Sequence, residues 1–257
     1  MRLPKKFLLG CLVLGSLLAL LTLPATTRQA VNFQVTTQRI PLVIKGMGFL
    51  VRDYEYRELA ARLTQNLAAE ETKAETLFRW TRAHIQPVPP GYPVVDDHIS
   101  HIVIRGYGEE DQRADVFTCL SSYAGIPSFW SVLRPGPEAG LEEKLILSFC
   151  LIEGCWTVWD VARGIAFRER DGSLASVERL AKDPRLVSFN VEGLNHQGRL
   201  YADYLLKGLP HFYVPGFTRS QKQMPWPRFL FEVRYLCSRL WSGQRREEFD
   251  PKVIFEN

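Results

Sequence analysis

Apolar residues fill 7–25 without one charge, and along the rest of the chain they recur in segments of different period. The run of 19 uncharged residues follows Arg2, Lys5 and Lys6. It approaches the roughly 20 residues that a bilayer-spanning helix needs, and the basic start predicts an anchor with its N-terminus in the cytoplasm and the main domain outside. A cleaved signal peptide has the same basic start and apolar middle, so a secreted product stands as the alternative. Leu23-Pro24-Ala25 lacks a small residue three places before a cut, which favours the uncleaved anchor. Over 31–51, Phe33, Val35, Ile40, Leu42, Val43 and Ile44 broken by polar residues predict one or two lead-in strands. Leu59, Ala60, Leu63 and Leu67 have helical spacing and predict a helix over 54–68. A second helix follows, with Thr72 and Glu75 in capping-box spacing and Ala74, Leu77, Phe78, Thr81 and Ile85 along one face.

Pro87, Pro89 and Pro90 stop that helix, and 86–100 reads as a proline-rich, acidic surface connection. Next comes Gly106-Tyr107-Gly108, a turn opening a helix from about Asp111 whose apolar face carries Ala114, Phe117, Leu120 and Ala124. Gly125 offers the left-handed residue that ends such a helix, before Ile126-Pro127. A strand is predicted over 128–133 and a loop over 135–141. Two apolar runs, 144–152 and 155–161, meet at Glu153-Gly154, a two-residue hairpin signal that brings Asp160 to a strand end. A short strand follows over 164–168, and Ser173 or Ser176 caps a short helix. Residues 184–217 mix short helices with aromatic loops. The last segment, 228–241, is helical, with Leu230, Val233, Leu236 or Cys237, and Leu240 on one side and Arg234 and Arg239 elsewhere. Such a helix either lies on an anionic membrane or packs on its own domain.

Behind the apolar N-terminus about 230 residues are left, enough for one core domain. A charged fraction of 23% and a net charge of +4 argue against disorder and against a dedicated nucleic-acid binder, so no nucleic-acid partner is expected. The five cysteines have no metal-ligand spacing, so neither a structural metal nor a cofactor is expected. Outside the cytoplasm, Cys119, Cys150, Cys155 and Cys237 could form disulfides, but their spacing specifies no pairing. Of the five histidines, His98 and His101 lie a few residues before the glycine turn, whereas His84, His196 and His211 have no partner visible in sequence.

The order helix, Gly-x-Gly turn, helix ending in Gly-Ile-Pro, loop, hairpin, Trp156-x-x-x-Asp160 resembles the transglutaminase-like superfamily of papain-type cysteine enzymes. The resemblance spans roughly 71–167. It implies an α+β fold with helices packed on an antiparallel sheet, and a Cys–His–Asp triad in which the thiol opens the central helix. There the helix dipole stabilises the thiolate, a His on the next strand takes its proton, and an Asp supports that His. Counting from Gly125 and from Ala114 places the nucleophile position at Glu110. The His position falls at Leu145, and Asp160 stands at the Asp position.

Two of the three catalytic side chains are therefore absent. A carboxylate is a poor acyl-transfer nucleophile, and no His occurs between His101 and His196 to serve the hairpin. The expectation is a catalytically inactive, membrane-anchored member that acts by binding, with Tyr107, Trp130, Trp156 and Trp159 as candidate cleft aromatics. The segment 161–180 resembles bacterial members associated with surface-polysaccharide assembly, which implies a glycan, a peptide or another envelope protein as partner. The alternative is an active amide hydrolase or acyltransferase working through an unconventional site such as Cys119. A third option pairs Glu110 with Asp160 as acid and base for glycoside hydrolysis. The organisation expected is a basic tip (1–6), an anchor (7–25), lead-in elements (26–70), a core (71–167) and a C-terminal extension with a basic amphipathic helix (168–257).

Overall fold

A computed structural model describes residues 5–31, 34–94, 98–136, 139–140 and 143–242. The start of the basic tip (1–4), Phe33, and parts of the two expected loops (95–97, 137–138 and 141–142) lie outside the described residues. The chain begins with α1 (Lys5–Thr22), followed by an antiparallel hairpin of β1 (Pro24–Val31) and β2 (Gln34–Pro41). The apolar run is thus helical, but Pro24 already belongs to a strand. A helix of 18 residues is about 27 Å long, close to the ~30 Å hydrocarbon core. Among the described residues no helix is long and apolar enough to cross a membrane.

The second half of the expected lead-in strands is instead the start of a long helix, α2 (Leu42–Leu63). Leu42-Val43-Ile44 favours a strand locally, yet the period that carries Leu59 and Ala60 extends back through it. Packing of Tyr56 and Ala60 into the core decides the outcome. The next helix, α3 (Glu70–His84), starts two residues before Thr72, with Ala69 at its N-cap and Glu70 and Glu71 favoured by the dipole of its first turn. Thr72 and Glu75 therefore lie inside it and do not form the expected cap. The proline-rich connection leads into a helix that the pattern missed, α4 (Ile99–Arg105), whose Ile99 and Ile102 are buried. Gly106, with φ of 76°, ends α4 in the left-handed conformation that glycine adopts without steric cost. Gly108 leaves room for Gln112, which a Cβ at position 108 would approach to 3.1 Å. These two glycines let α4 turn sharply into the central helix, α5 (Glu110–Tyr123).

Four antiparallel strands follow in sequence order: β3 (Ser128–Leu133), β4 (Leu145–Ile152), β5 (Cys155–Asp160) and β6 (Ile165–Ala166). The β4–β5 hairpin turns at Glu153-Gly154, where both residues take positive φ (49° and 79°), the pair of conformations that this two-residue turn requires. The architecture is thus a mixture of helices and antiparallel sheet. Strand β4 is buried on both sides, and its alternation sorts the core in two. Cys150 and Ile152 pack with Trp159, Phe117, Leu120, Leu77 and Phe78 under α3 and α5. Leu145, Leu147 and Phe149 pack on the opposite face with Val158, Phe167, Tyr201, Tyr204 and Leu205.

That second face is covered by helices from the region expected as an extension: α6 (Val177–Lys182), α7 (Pro184–Val191) and α8 (Tyr201–Gly208). Ser176 caps α6 by accepting from the Arg179 amide, as its sequence predicts. Between α7 and α8, β7 (Asn195–His196) and β8 (Arg199–Leu200) form a tight hairpin, with Gln197 and Gly198 at positive φ. The described chain closes with α9 (Arg219–Lys222) and α10 (Pro225–Ser242).

Candidate functional site

The central helix opens on a capping box: Glu109 caps it, and the Glu109 amide donates to Gln112 Oε1 at 3.1 Å. Glu110 is therefore the first helical residue and is not needed as the cap. Its carboxylate faces a guanidinium, with Arg163 Nη2 donating to Glu110 Oε1 at 3.2 Å. Arg163 is held from below by Asp160, which sits at the end of β5 with a fully buried side chain. The Arg163 amide donates to Asp160 Oδ1 at 2.8 Å, and Nη1 donates to Oδ2 at 3.0 Å. Tyr201, from α8 across the sheet, donates its hydroxyl to the same Oδ2 at 2.6 Å, and its ring lies 5.5 Å beneath the guanidinium.

The remaining Nη2 proton reaches His196, on the β7–β8 hairpin, with 2.7 Å to Nδ1. The other ring nitrogen, Nε2, lies 2.8 Å from the Lys144 carbonyl. The tautomer that satisfies both bonds carries its proton on Nε2, so Nδ1 accepts from Arg163 and the ring has no free lone pair. Burial alone would lower the Arg163 guanidinium, but Asp160 and Glu110 outweigh it and move it up. Arg163 is thus a permanent cation ringed by two carboxylates and an imidazole. Next to it, Gly164 at φ of 77° lies under the Arg82 guanidinium, which a Cβ at position 164 would push aside.

A cavity of about 640 Å³ opens beside this network, lined by Glu109, Glu110, Asp111, Asp115, Lys144, Ile146, His196 and Arg219, among others. Asp115 is its deepest charge. Trp130 Nε1 donates to Asp115 Oδ1, and Arg219 Nη2 donates to Oδ2 at 2.7 Å while stacking 5.5 Å over the Trp130 ring. Burial pushes Asp115 up to about 6 against the pull of Arg219 and Trp130.

The residues expected from sequence are only partly gathered here. Glu110 and Asp160 meet, but through Arg163. Leu145 is fully buried in the second core cluster, and no histidine replaces it on β4. Of the four expected cleft aromatics, Trp130 alone belongs to the cavity wall network. Trp159 is buried against Phe78 and Phe117, Trp156 packs on Phe129 and Phe212, and Tyr107 is buried against Tyr92 and Arg105. Sequence reasoning missed Arg163, His196, Tyr201, Asp115 and Arg219. A local signal existed for Arg163, three residues beyond Asp160 and just before a glycine. Another existed for His196, next to the hairpin turn Gln197-Gly198.

All five cysteines are free thiols. Burial raises Cys119 well above the ordinary thiol value and Cys150 to about 12, so neither offers a thiolate near neutrality. Glu110 and Asp160 share one guanidinium. Among the described residues no His, Cys, Asp and Glu cluster could hold a metal ion.

No family model matches the chain, and no curated protein matches it. Among solved structures, it is similar over 60% of its length to a candidate protease from Parabacteroides distasonis, at 15% identity, covering 40% of that chain with a TM-score of 0.34. A candidate cysteine protease from Cytophaga hutchinsonii matches over 49% at 14% identity, covering 41% of that chain with a TM-score of 0.38. A protein described as a TGase matches over 66% at 10% identity, covering 50% of that chain with a TM-score of 0.35. The chain therefore spans half or less of the length of these structures.

Proposed function

We propose that this protein is a transglutaminase-like domain without acyl-transfer chemistry, which binds a polar chain such as a glycan or peptide in the cavity beside Glu110. One observation carries the reading: Arg163 stands where nucleophile, base and orienting acid would have to meet, and it ties up Glu110, Asp160 and His196 together. Acyl transfer needs a nucleophile with a free pair of electrons and a base within reach of its proton. Here the carboxylate at the helix start is ion-paired, and both nitrogens of the nearby imidazole are engaged.

Binding needs less. A cavity of about 640 Å³ is of ordinary ligand size, and this one is lined by the carboxylates of Glu109, Glu110 and Asp111 and by Lys144, with Arg219 paired to Asp115 in its wall. Paired donors and acceptors of that kind suit hydroxyl-rich or amide-rich chains. The apolar α1 tethers the domain to a membrane, and the envelope of a bacterial cell supplies both polymers at such a surface. The test is titration calorimetry of the full chain in detergent against envelope glycans and peptide libraries. The expected result is binding that Lys144→Ala weakens about tenfold, close to 1.4 kcal/mol. No heat from either library contradicts the proposal.

A further inference from the structure

Two helices present apolar faces that nothing among the described residues covers. The early half of α2 exposes Ile44, Met47, Leu50, Val51 and Tyr54, which at 100° per residue fall within about a third of the helix circumference. Its later half, by contrast, docks through the buried Tyr56 and Ala60. The same division recurs in α10. Phe231 stacks on Phe217 at 4.2 Å and Tyr235 is buried, whereas Trp226, Phe229, Leu230 and Val233 point outward along a second stripe. Trp226, at 73% exposure, is the clearest case. The two helices touch where Arg228 lies 5.6 Å over the Phe49 ring.

What covers these stripes follows from their continuity with α1. The Leu42 amide at the start of α2 donates to the Leu23 carbonyl just past the end of α1, at 2.8 Å. In α1 the consecutive residues Leu12, Val13 and Leu14 are all more than half exposed, as is Leu18. Three consecutive positions sweep most of a helical turn, so α1 has no polar side. A protein groove covers one face of a helix, but an acyl phase covers all of it. The charges agree: α10 carries Arg228, Arg234 and Arg239 against the single acid Glu232, the balance of a helix lying on an anionic surface.

We infer that the early half of α2 and the outward stripe of α10 rest on an anionic lipid surface, with α1 in its apolar phase. This rests on the tether proposed above and adds a fixed orientation: the domain lies against the membrane instead of swinging from it. The experiment places an environment-sensitive fluorophore on single cysteines in the full chain, with Cys11, Cys155 and Cys237 replaced by serine. Leu14→Cys reports on α1, Met47→Cys and Phe229→Cys on the two stripes, and Glu178→Cys on an exposed position of α6 as control. Circular dichroism checks that each variant is folded. Phosphatidylcholine vesicles containing phosphatidylglycerol are expected to blue-shift and brighten the probes at 14, 47 and 229 and to leave 178 unchanged. A response at 14 with water-like emission at 47 and 229 overturns the orientation while the tether stands. Silence at all positions overturns both. A blue shift at 47 and 229 without vesicles, growing with protein concentration, assigns the stripes to a second copy of the chain and also overturns the inference.

Discussion

Position 110 shows what one side chain decides. It opens α5, where the dipole and Arg163 would both stabilise a negative sulfur as readily as they now stabilise a carboxylate. Glu110→Cys is therefore expected to alkylate with a midpoint below the ordinary thiol value of about 8.5, and Arg163→Met in that background is expected to move the midpoint back up. Site-resolved iodoacetamide labelling across pH checks this, with buried Cys119 and Cys150 as unreactive internal references. A midpoint equal to that of exposed Cys155 would count against it. Asp115 makes a second prediction. Its folded value of about 6 exceeds the ordinary 3.8, so the folded state binds a proton more tightly than the unfolded chain does. The stabilisation this gives is complete below 3.8 and lost as pH rises through about 6. Urea unfolding between pH 4 and pH 7 should show wild-type stability falling across that window by an amount on the order of 3 kcal/mol, and Asp115→Asn should flatten the slope. Position 110 could be counted from Ala114 and Gly125, and Asp160 from Trp156. Arg163 and His196 could not be placed, because their meeting depends on a hairpin 33 residues further on folding back over the sheet edge.

Among the elements, the turn after β5 joins the two halves of the fold. Arg163 connects α5, β5, the β7–β8 hairpin and, through Asp160, α8. Its removal leaves the buried Asp160 carboxylate, among the described residues, with hydrogen bonds from Tyr201 and a backbone amide and with the Arg113 guanidinium nearby. Arg163→Met is expected to cost about 3 kcal/mol and lower Tm by roughly 6–12 °C. Adding Asp160→Asn should recover part of that loss, and simple additivity in this cycle would show that the two side chains do not act together. The elements with strong local signals were legible: the β4–β5 hairpin through Glu153-Gly154, the stop of α5 at Gly125, and the Ser176 cap of α6. Those fixed by tertiary contact were not. Leu42-Val43-Ile44 favoured a strand until the docking of Tyr56 and Ala60 made it helix, and α4 was hidden in seven residues with no capping side chain. Trp156 and Trp159 were indistinguishable by type. Only the alternation of β5 sends Trp159 into the core, where Trp159→Ala is expected to cost about 3–5 kcal/mol in urea unfolding and Trp156→Ala less.

For the whole molecule, the elements beyond 168 complete the site as well as the core, since the β7–β8 hairpin brings His196 and α8 brings Tyr201 to Arg163. A charged cavity thus lies in a domain for which a lipid surface is proposed, and Glu110 instead of a thiol stands at its helix start. Whether the proposed site binds without turning over is read most directly by an amide-hydrolysis and amine-exchange assay on the full chain with fluorogenic glutamine-containing and other peptide amides. Product formation no faster than in buffer is expected, unchanged by Cys119→Ser or Glu110→Ala. Turnover above the buffer rate that either substitution abolishes would contradict it.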